Sequence, residues 1–467
     1  MLVPRPAAPS LRLLAKSSHQ SITRNSLVRS IALLRCQSNS AVSSSPKPAT
    51  KPNELAKVIR DSIKSTGPIS ASRYMQFCLS HPVHGYYSKG DVFGQKGDFI
   101  TSPEISQIFG ELVAIWFLTR WMEADSPTRV RIIELGPGRG TLMDDVLRTL
   151  LNFPGIAASI NSVHLVENSE AMREVQSRTL SPRIEGKDVK LNWYTSIEEI
   201  PETKDEFTLF VAHEFFDAMP INVFEKTDMG WREVLIDRDP SYSPNLPTSS
   251  SPSGLRFTLS PSPTTLSTIL PSTSPRFANL PSGSRIEVSQ DSYKIMHRLG
   301  QVTNEGLGGC GLVVDYGADK TFASSFRVSH QNNEDVRADV GDSQQAFRKH
   351  EIVDVFEDPG NCDLTANVDF AYLRESLTGI ATSLGPISQA QFLISLGLQP
   401  RLRKLLDTAP PERRETIEKG AKRLIDVLGM GSQYQVMGVV SGEPEMKEGI
   451  YPFPVKKKIV ENKVLRP

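Results

Sequence analysis

Residues 132–140 read Ile132-Ile133-Glu134-Leu135-Gly136-Pro137-Gly138-Arg139-Gly140, two β-branched residues and a carboxylate followed by glycine at every second position. The glycines remove side chains that would hold a ligand off the backbone, and Pro137 stiffens the turn. A dinucleotide site spaces its glycines G-x-G-x-x-G and receives a pyrophosphate on the next helix N-terminus. Here the third glycine comes one residue early, and Glu134 stands two residues before the first. A carboxylate there repels a pyrophosphate and suits a ligand carrying an ammonium and a sulfonium, as S-adenosylmethionine does. Other nucleotide binding and a purely structural turn are the competing readings of this motif.

Further residues bear on the same chemistry. Glu167, 33 residues after Glu134, falls at the end of the next predicted strand, where an acid can accept hydrogen bonds from both ribose hydroxyls. The run His213-Glu214-Phe215-Phe216-Asp217 sets two carboxylates three residues apart at the end of another strand. Methyl transfer from a sulfonium is an in-line displacement, so the protein must align the acceptor and exclude water. An arginine acceptor is planar and always protonated, and it matches carboxylates that bind it in pairs. Glu214 and Asp217 are therefore the candidate catalytic acids, and His213 can orient the acceptor or take its proton. The plainer reading has Asp217 capping the turn before Pro220 and His213 as a hydrogen-bonded core residue. Asp315-Tyr316-Gly317 either lines the acceptor pocket or caps its own turn. Thr101 and Ser102 begin a predicted helix whose positive end can meet a ligand carboxylate, or they simply cap it.

The elements that must carry these residues alternate. Predicted strands at "VRIIEL", "SVHLVE", "VKLNWY", "FTLFVAHEFFD" and "GGCGLVVDYG" are separated by helical stretches such as "GTLMDDVLRTLLNF". That alternation indicates an α/β fold with a parallel sheet covered on both faces. "SQYQVMGVV" reads as a late strand added at an edge. Upstream, residues 53–70 predict a helix with Leu55, Val58, Ile59 and Ile63 on one face, ended by Gly67-Pro68. "TSPEISQIFGELVAIWFLTRWM" predicts one long amphipathic helix capped by Ser102. Residues near 238–281 are crowded with Ser, Pro and Thr and read as mobile loops flanking one strand; a polar run near 324–343 reads as a surface insertion.

Composition sets the bounds. The 467 residues, 39% of them apolar, suffice for one large α/β domain with embellishments or for two domains. No apolar run reaches the roughly 18 residues of a spanning helix. The first 53 residues hold five Arg, three Lys and no acid, with many Ser, which is the composition of a mitochondrial transit peptide, here placed at 1–45. Without the first 53 residues 45 basic residues face 53 acidic ones, a balance that argues against a nucleic-acid partner. Cys36, Cys78, Cys310 and Cys362 form no CxxC pair and have no His at zinc spacing, so they read as reduced thiols and no metal is expected. Arg348, Lys349 and His350 can meet an acidic partner or face solvent, and Lys456, Lys457 and Lys458 read as a solvated charge run.

Several ordered strings together resemble one family. They are "HGYYSKGDVFGQKGDFITSPEISQIFGELVAIW", "IIELGPGRGTLMDDVLR", "VAHEFFDAMPINVF", "GLVVDYG", "AFRKHEIVDVFEDPGNCDLTANVDF" and "GPISQAQFLISLGL". They are similar to the MidA-type mitochondrial protein arginine methyltransferases that assist assembly of respiratory complex I. The resemblance implies a seven-stranded class I (Rossmann-like) S-adenosylmethionine-dependent methyltransferase sheet with added helical segments. It divides the chain into an N-terminal helical segment at 53–125 contributing to the active site, a methyltransferase domain at 126–442 and a tail at 443–467. It also implies a matrix location and symmetric dimethylation of an arginine on a matrix-arm core subunit of complex I. Carried over, Gly136, Pro137, Gly138 and Gly140 bind the donor, and Glu214 with Asp217 falls in the "NEFFDA"-like motif. His213 stands where that motif usually has Asn. A non-catalytic assembly chaperone that keeps the fold is the alternative, and an NAD-type oxidoreductase is disfavoured by the early third glycine.

Overall fold

The computed structural model describes residues 53–89, 101–243, 253–329, 352–353, 355–442 and 449–454. The transit-peptide segment, most of the polar insertion, residues 348–350 and the lysine run at 456–458 lie outside the described residues.

Seven strands form the central sheet: β1 (Val130–Leu135), β2 (Ile160–Val166), β3 (Lys190–Tyr194), β4 (Phe207–His213), β5 (Gly309–Ala318), β6 (Ala381–Ser388) and β7 (Tyr434–Ser441). Their spatial order is β6-β7-β5-β4-β1-β2-β3, with β7 antiparallel to both neighbours. The short strand Val368–Asp369 adds parallel to the end of β5 at Gly317 and Ala318. From β1 the chain winds outward to β2 and β3, then returns to lay β4 on the other side of β1. This reversal makes β1 and β4 the switch point of the sheet, and in open α/β sheets ligands bind beyond the carboxyl ends of the strands at such a point.

Both faces of the sheet are covered, which explains why its strands are apolar runs. Ile132 packs into a core with Trp116 and Phe109, while its neighbour Ile133 points the other way, into a core with Met296, Leu299 and Phe370. "FTLFVAHEFFD" is not one strand: β4 stops at His213, and Glu214 turns into the left-handed region at φ +48°. "SQYQVMGVV" does not lie at an edge either. As β7 it is inserted between β5 and β6, and Ala381–Ser388 takes the edge.

Helices α1 (Glu54–Thr66) and α2 (Ala71–Ser80) precede α3 (Ser102–Ile105) and α4 (Ile108–Glu123). In α1 the Asn53 side chain accepts from the Ala56 amide, and Gly67 closes the helix at φ +86°. Its buried face is Leu55, Ala56, Ile59 and Ile63; Val58 is 37% exposed. The single long helix expected from Ser102 is two helices. Ser106 is extended (φ −160°, ψ 129°), so the chain breaks between α3 and α4, and Thr101 rather than Ser102 occupies the N-cap. Nor is α4 amphipathic: twelve of its residues are buried, among them Glu111 and Arg120. Glu111 is held there by Arg401 (2.5 and 2.7 Å) and Arg148 (2.9 Å).

A second, antiparallel sheet joins Ile69–Ser70, Asn222–Thr227, Gly230–Arg238, Leu255–Leu259 and Arg285–Val288. Helices α1 and α2 pack on it through Leu55, Ile59 and Tyr74 against Val223, Val234 and Ile236. The Ser/Pro/Thr-rich stretch is partly helical, at Thr265–Ile269 and Pro275–Ala278, because Thr264 and Ser274 cap these short turns.

Candidate active site

The turn after β1 is built by φ angles that side chains resist. Gly136, Gly138 and Gly140 stand at +62°, +51° and +82°. A Cβ on Gly136 would lie 2.9 Å from Cδ2 of Phe215, so this glycine also makes room for the loop after β4. The Gly136 amide donates to the Val166 carbonyl (3.1 Å), Gly140 closes the turn onto Pro137 (2.7 Å), and α5 (Thr141–Leu150) begins at Gly140. Glu134 is 2% exposed, its Oε2 has no hydrogen-bond partner among the described residues, and burial pushes its carboxyl up to about 8.

Glu167 follows β2 directly. Its Oε1 accepts from the Ser169 amide (2.8 Å) and its Oε2 from Gln176 Nε2 (3.0 Å), while burial raises its carboxyl despite those bonds. Gln176, on α6 (Glu170–Ile184), is fully buried and also donates to the Gly138 carbonyl (2.8 Å) and accepts from Trp193 Nε1 (2.9 Å). It locks the glycine turn to Glu167. Sequence reasoning missed it, since a glutamine in mid-helix belongs to no motif.

The third cluster sits at the ends of β4 and β5. Asp315, 0% exposed, accepts the amides of Phe215 (3.2 Å), Phe216 (3.0 Å) and Asp217 (3.3 Å) on Oδ2 and that of Tyr316 (2.9 Å) on Oδ1. Burial, with the nearby charges of Asp217 and Glu214, drives its carboxyl well up; the amides oppose that shift. The capping alternative at Asp315 is thus what the geometry displays, and the loop it caps is the one bearing Glu214 and Asp217. Asp217 receives the Tyr316 hydroxyl on Oδ2 and also accepts from the amides of its own turn at Asp217 and Ala218, while its Oδ1 has no hydrogen-bond partner among the described residues.

Glu214 accepts from the Tyr434 hydroxyl and the Ser102 amide, and its buried Oε1 has no hydrogen-bond partner among the described residues. Burial, reinforced by the charge of Asp217, pushes its carboxyl up to about 8. His213 Nε2 lies 3.5 Å from that oxygen and makes no hydrogen bond; Phe109 lies against the ring, centroids 4.9 Å apart. Burial pushes the imidazole down to about 3, so it is neutral at physiological pH. Ser102 is therefore brought to Glu214 by its amide, while its hydroxyl donates to Gln389 (3.2 Å); Thr101 forms a capping box with Glu104.

Nine buried side-chain polar atoms lack a hydrogen-bond partner among the described residues, and four of them belong to Glu134, His213, Glu214 and Asp217. Unpaired buried polar groups cost free energy and mark places prepared for something else. A carboxylate oxygen without a partner beside a turn free of side chains fits a cationic nucleoside, so this donor set suits S-adenosylmethionine. Among the described residues no group of His, Cys, Asp and Glu could hold a metal, and no helix is long and apolar enough to cross a membrane. Cys78, Cys310 and Cys362 are buried, and Cys362 Sγ donates to the carbonyls of Glu357 (3.6 Å) and Asp358 (3.5 Å).

The strand order with its antiparallel β7, and the glycine turn at the switch point, define an S-adenosylmethionine-dependent methyltransferase of the Rossmann-like class. Residues 112–387 match the family described as "Putative S-adenosyl-L-methionine-dependent methyltransferase". Human protein arginine methyltransferase NDUFAF7, mitochondrial, is 36% identical over 417 residues, spanning 85% of this chain and 86% of that protein. The Danio rerio protein of that name is 38% identical over 83% of this chain and 87% of its own length. A crystal structure from Burkholderia thailandensis, bound to S-adenosyl-homocysteine, shares the fold with a TM-score of 0.63 at 23% identity, over 83% of this chain and 91% of that one. The chain belongs to the methyltransferase family of these NDUFAF7 relatives, and its cofactor is S-adenosylmethionine.

Proposed function

We propose that the protein methylates an arginine side chain of a protein substrate. The observation that carries this reading is a pair of acids, partly buried Glu214 and buried Asp217, each with one buried oxygen that has no hydrogen-bond partner among the described residues. A guanidinium presents donors in a planar fork, and two such oxygens can receive it and localise its charge away from the reacting nitrogen. Relatives named as protein arginine methyltransferases support the same acceptor.

Glu134, Gly136, Pro137, Gly138, Gly140 and Glu167 would hold S-adenosylmethionine, which supplies a methyl group on a sulfonium. Glu134 offers its free oxygen to positive charge, the glycines allow close backbone approach, and Glu167 faces the ribose end. Ser102 serves by holding Glu214 through its amide, and Thr101 by starting the turn that presents it. The segment at 53–125 thus contributes to the site through Thr101, Ser102 and Glu104, through Phe109 against His213 and through Tyr87 near Asp217, while 126–442 supplies the acids and the glycine turn. Methylation replaces an N–H by N–CH3 and releases one proton. Glu214, pushed up to about 8, is the group suited to receive it. His213, neutral, adds no repelling charge beside the guanidinium.

The finer assignment is symmetric dimethylation of an arginine on a matrix-arm core subunit of complex I, in the mitochondrial matrix. It is supported by the family resemblance, by relatives named mitochondrial and by the basic, acid-free N-terminus. Mass spectrometry of matrix-arm subunits incubated with the protein and labelled donor tests it; label absent from arginine refutes it. Glu214→Gln and Asp217→Asn should each bind S-adenosylmethionine normally and lose transfer by roughly 100-fold or more. Because Glu214 accepts a cation only when ionised, kcat/KM for the protein substrate should climb with pH and level off near 8.

A further inference from the structure

Two tyrosines face the acceptor acids from adjacent antiparallel strands. Tyr316 of β5 and Tyr434 of β7 are register partners, and their rings meet edge to face with centroids 5.6 Å apart. The Tyr316 hydroxyl donates to Asp217 Oδ2, and the Tyr434 hydroxyl hydrogen-bonds Glu214. In each acid the second oxygen, Oδ1 or Oε1, is buried and has no hydrogen-bond partner among the described residues.

We propose that Tyr316 and Tyr434 are positioning residues, each pinning one oxygen of an acceptor acid so that the other is presented to the incoming guanidinium. This rests on the arginine reading above. A carboxylate free to rotate about its last bond offers either oxygen in many orientations; a fixed donor on one of them selects a single rotamer. The donors are themselves immobilised. Arg327 stacks over the Tyr316 ring at 4.7 Å and donates to the Ser325 carbonyl (3.1 Å) and to Asn367 (2.7 Å), and the two tyrosine rings brace each other. Burial and the facing carboxylates hold both phenols well above their ordinary range, so they remain donors at every pH at which the enzyme works.

A hydroxyl acts here only through the acid it touches, and that sets the signature. Removing a donor from a carboxylate raises its protonation range, so Tyr316→Phe should raise that of Asp217 and Tyr434→Phe that of Glu214. The groups facing these acids are Asp315, His213, Arg327, Tyr87, Glu104 and the Ser102 amide, none of which either substitution removes.

The test combines infrared titration with kinetics on the full chain. The carboxyl bands lost in Asp217→Asn and in Glu214→Gln identify the two acids. In Tyr316→Phe and Tyr434→Phe the matching band should titrate at higher pH, by about one unit for loss of a charge-assisted hydrogen bond. On an arginine peptide that the wild type methylates, kcat should fall roughly 10-fold to 100-fold, with the S-adenosylmethionine Kd unchanged. The acid limb of the pH profile should move up as well. The Tyr316→Phe/Asp217→Asn double variant should be no slower than Asp217→Asn alone. Bands that do not move, or losses that add in the double variant, overturn the positioning role whatever the substrate. Bands that move in a protein that methylates no arginine overturn the arginine reading instead, and with it the guanidinium as the group being positioned.

Discussion

Glu134, Glu214 and Asp217 share a physical condition: one carboxyl oxygen buried away from water with no hydrogen-bond partner among the described residues. For Glu134 the consequence can be worked out in sign. Its folded value of about 8 lies above the ordinary carboxylate value of 4.5, so in that window the folded chain holds a proton that the unfolded chain has lost. Stability is fully present below the lower value and declines as pH rises toward the upper one. Without cofactor, Glu134→Gln should melt near the wild type at pH 5 and clearly above it at pH 9 by scanning calorimetry. A cationic ligand needs the ionised carboxylate, so wild-type affinity for S-adenosylmethionine should rise with pH up to about 8. Titrations at pH 7 in buffers of different ionisation enthalpy should register proton release, and Glu134→Gln should abolish it. A binding curve flat with pH in the wild type would remove Glu134 from the donor site. His213, by contrast, was expected to orient or deprotonate the acceptor; buried against Phe109 and pushed down to about 3, it is a weak base.

Among the elements, the loop after β4 depends on Asp315 more than on its own residues. Three successive amides converge on one carboxylate oxygen, and this holds Glu214 at φ +48°, a conformation that costs a non-glycine residue free energy. Asp315→Ala leaves four amides without their acceptor, three of them in this loop. It should lower stability by about 3 kcal/mol in urea unfolding and speed hydrogen exchange at 215–217 before the rest of β4. Unchanged exchange there would mean that the loop is held by other contacts. The glycine turn relies in the same way on Gln176, which ties the Gly138 carbonyl to Glu167 from a neighbouring helix. The motif at Gly136 was legible because left-handed turns need glycine. Gln176 was not, because a single glutamine acquires meaning only from what lies opposite it. The break between α3 and α4 was hidden for a related reason: "SPEISQIFGEL" keeps helical spacing throughout, and the contacts of Ser102 with Glu214 and Gln389, on the short helix before the break, lie far away in the chain.

For the whole molecule, the cofactor binds the folded chain alone, so saturating S-adenosylmethionine should stabilise it by about 2.7 kcal/mol at one hundred times Kd. The melting temperature should rise accordingly with S-adenosylmethionine or S-adenosyl-homocysteine, and hardly move with NAD. A larger rise with NAD would contradict the placement of an acid before the turn. Strands β1, β2, β4 and β5 could be read from the chain because residues facing two covered layers are mostly apolar, and such runs stand out in any order. The turn chemistry of Gly136 to Gly140 and the acids at strand ends could be read as well, since backbone sterics and charge act within a few residues. Which strand lies beside which could not. The insertion of β7 between β5 and β6, the edge place of Ala381–Ser388 and the pairing of Ile69 with Ile236 join residues far apart in the chain, and local pattern carries no record of them. Tertiary structure alone placed Tyr434 opposite Tyr316, Ser102 on Glu214 and Asp315 under the loop, because hydrogen bonds between distant segments form only once packing has brought their donors and acceptors within reach.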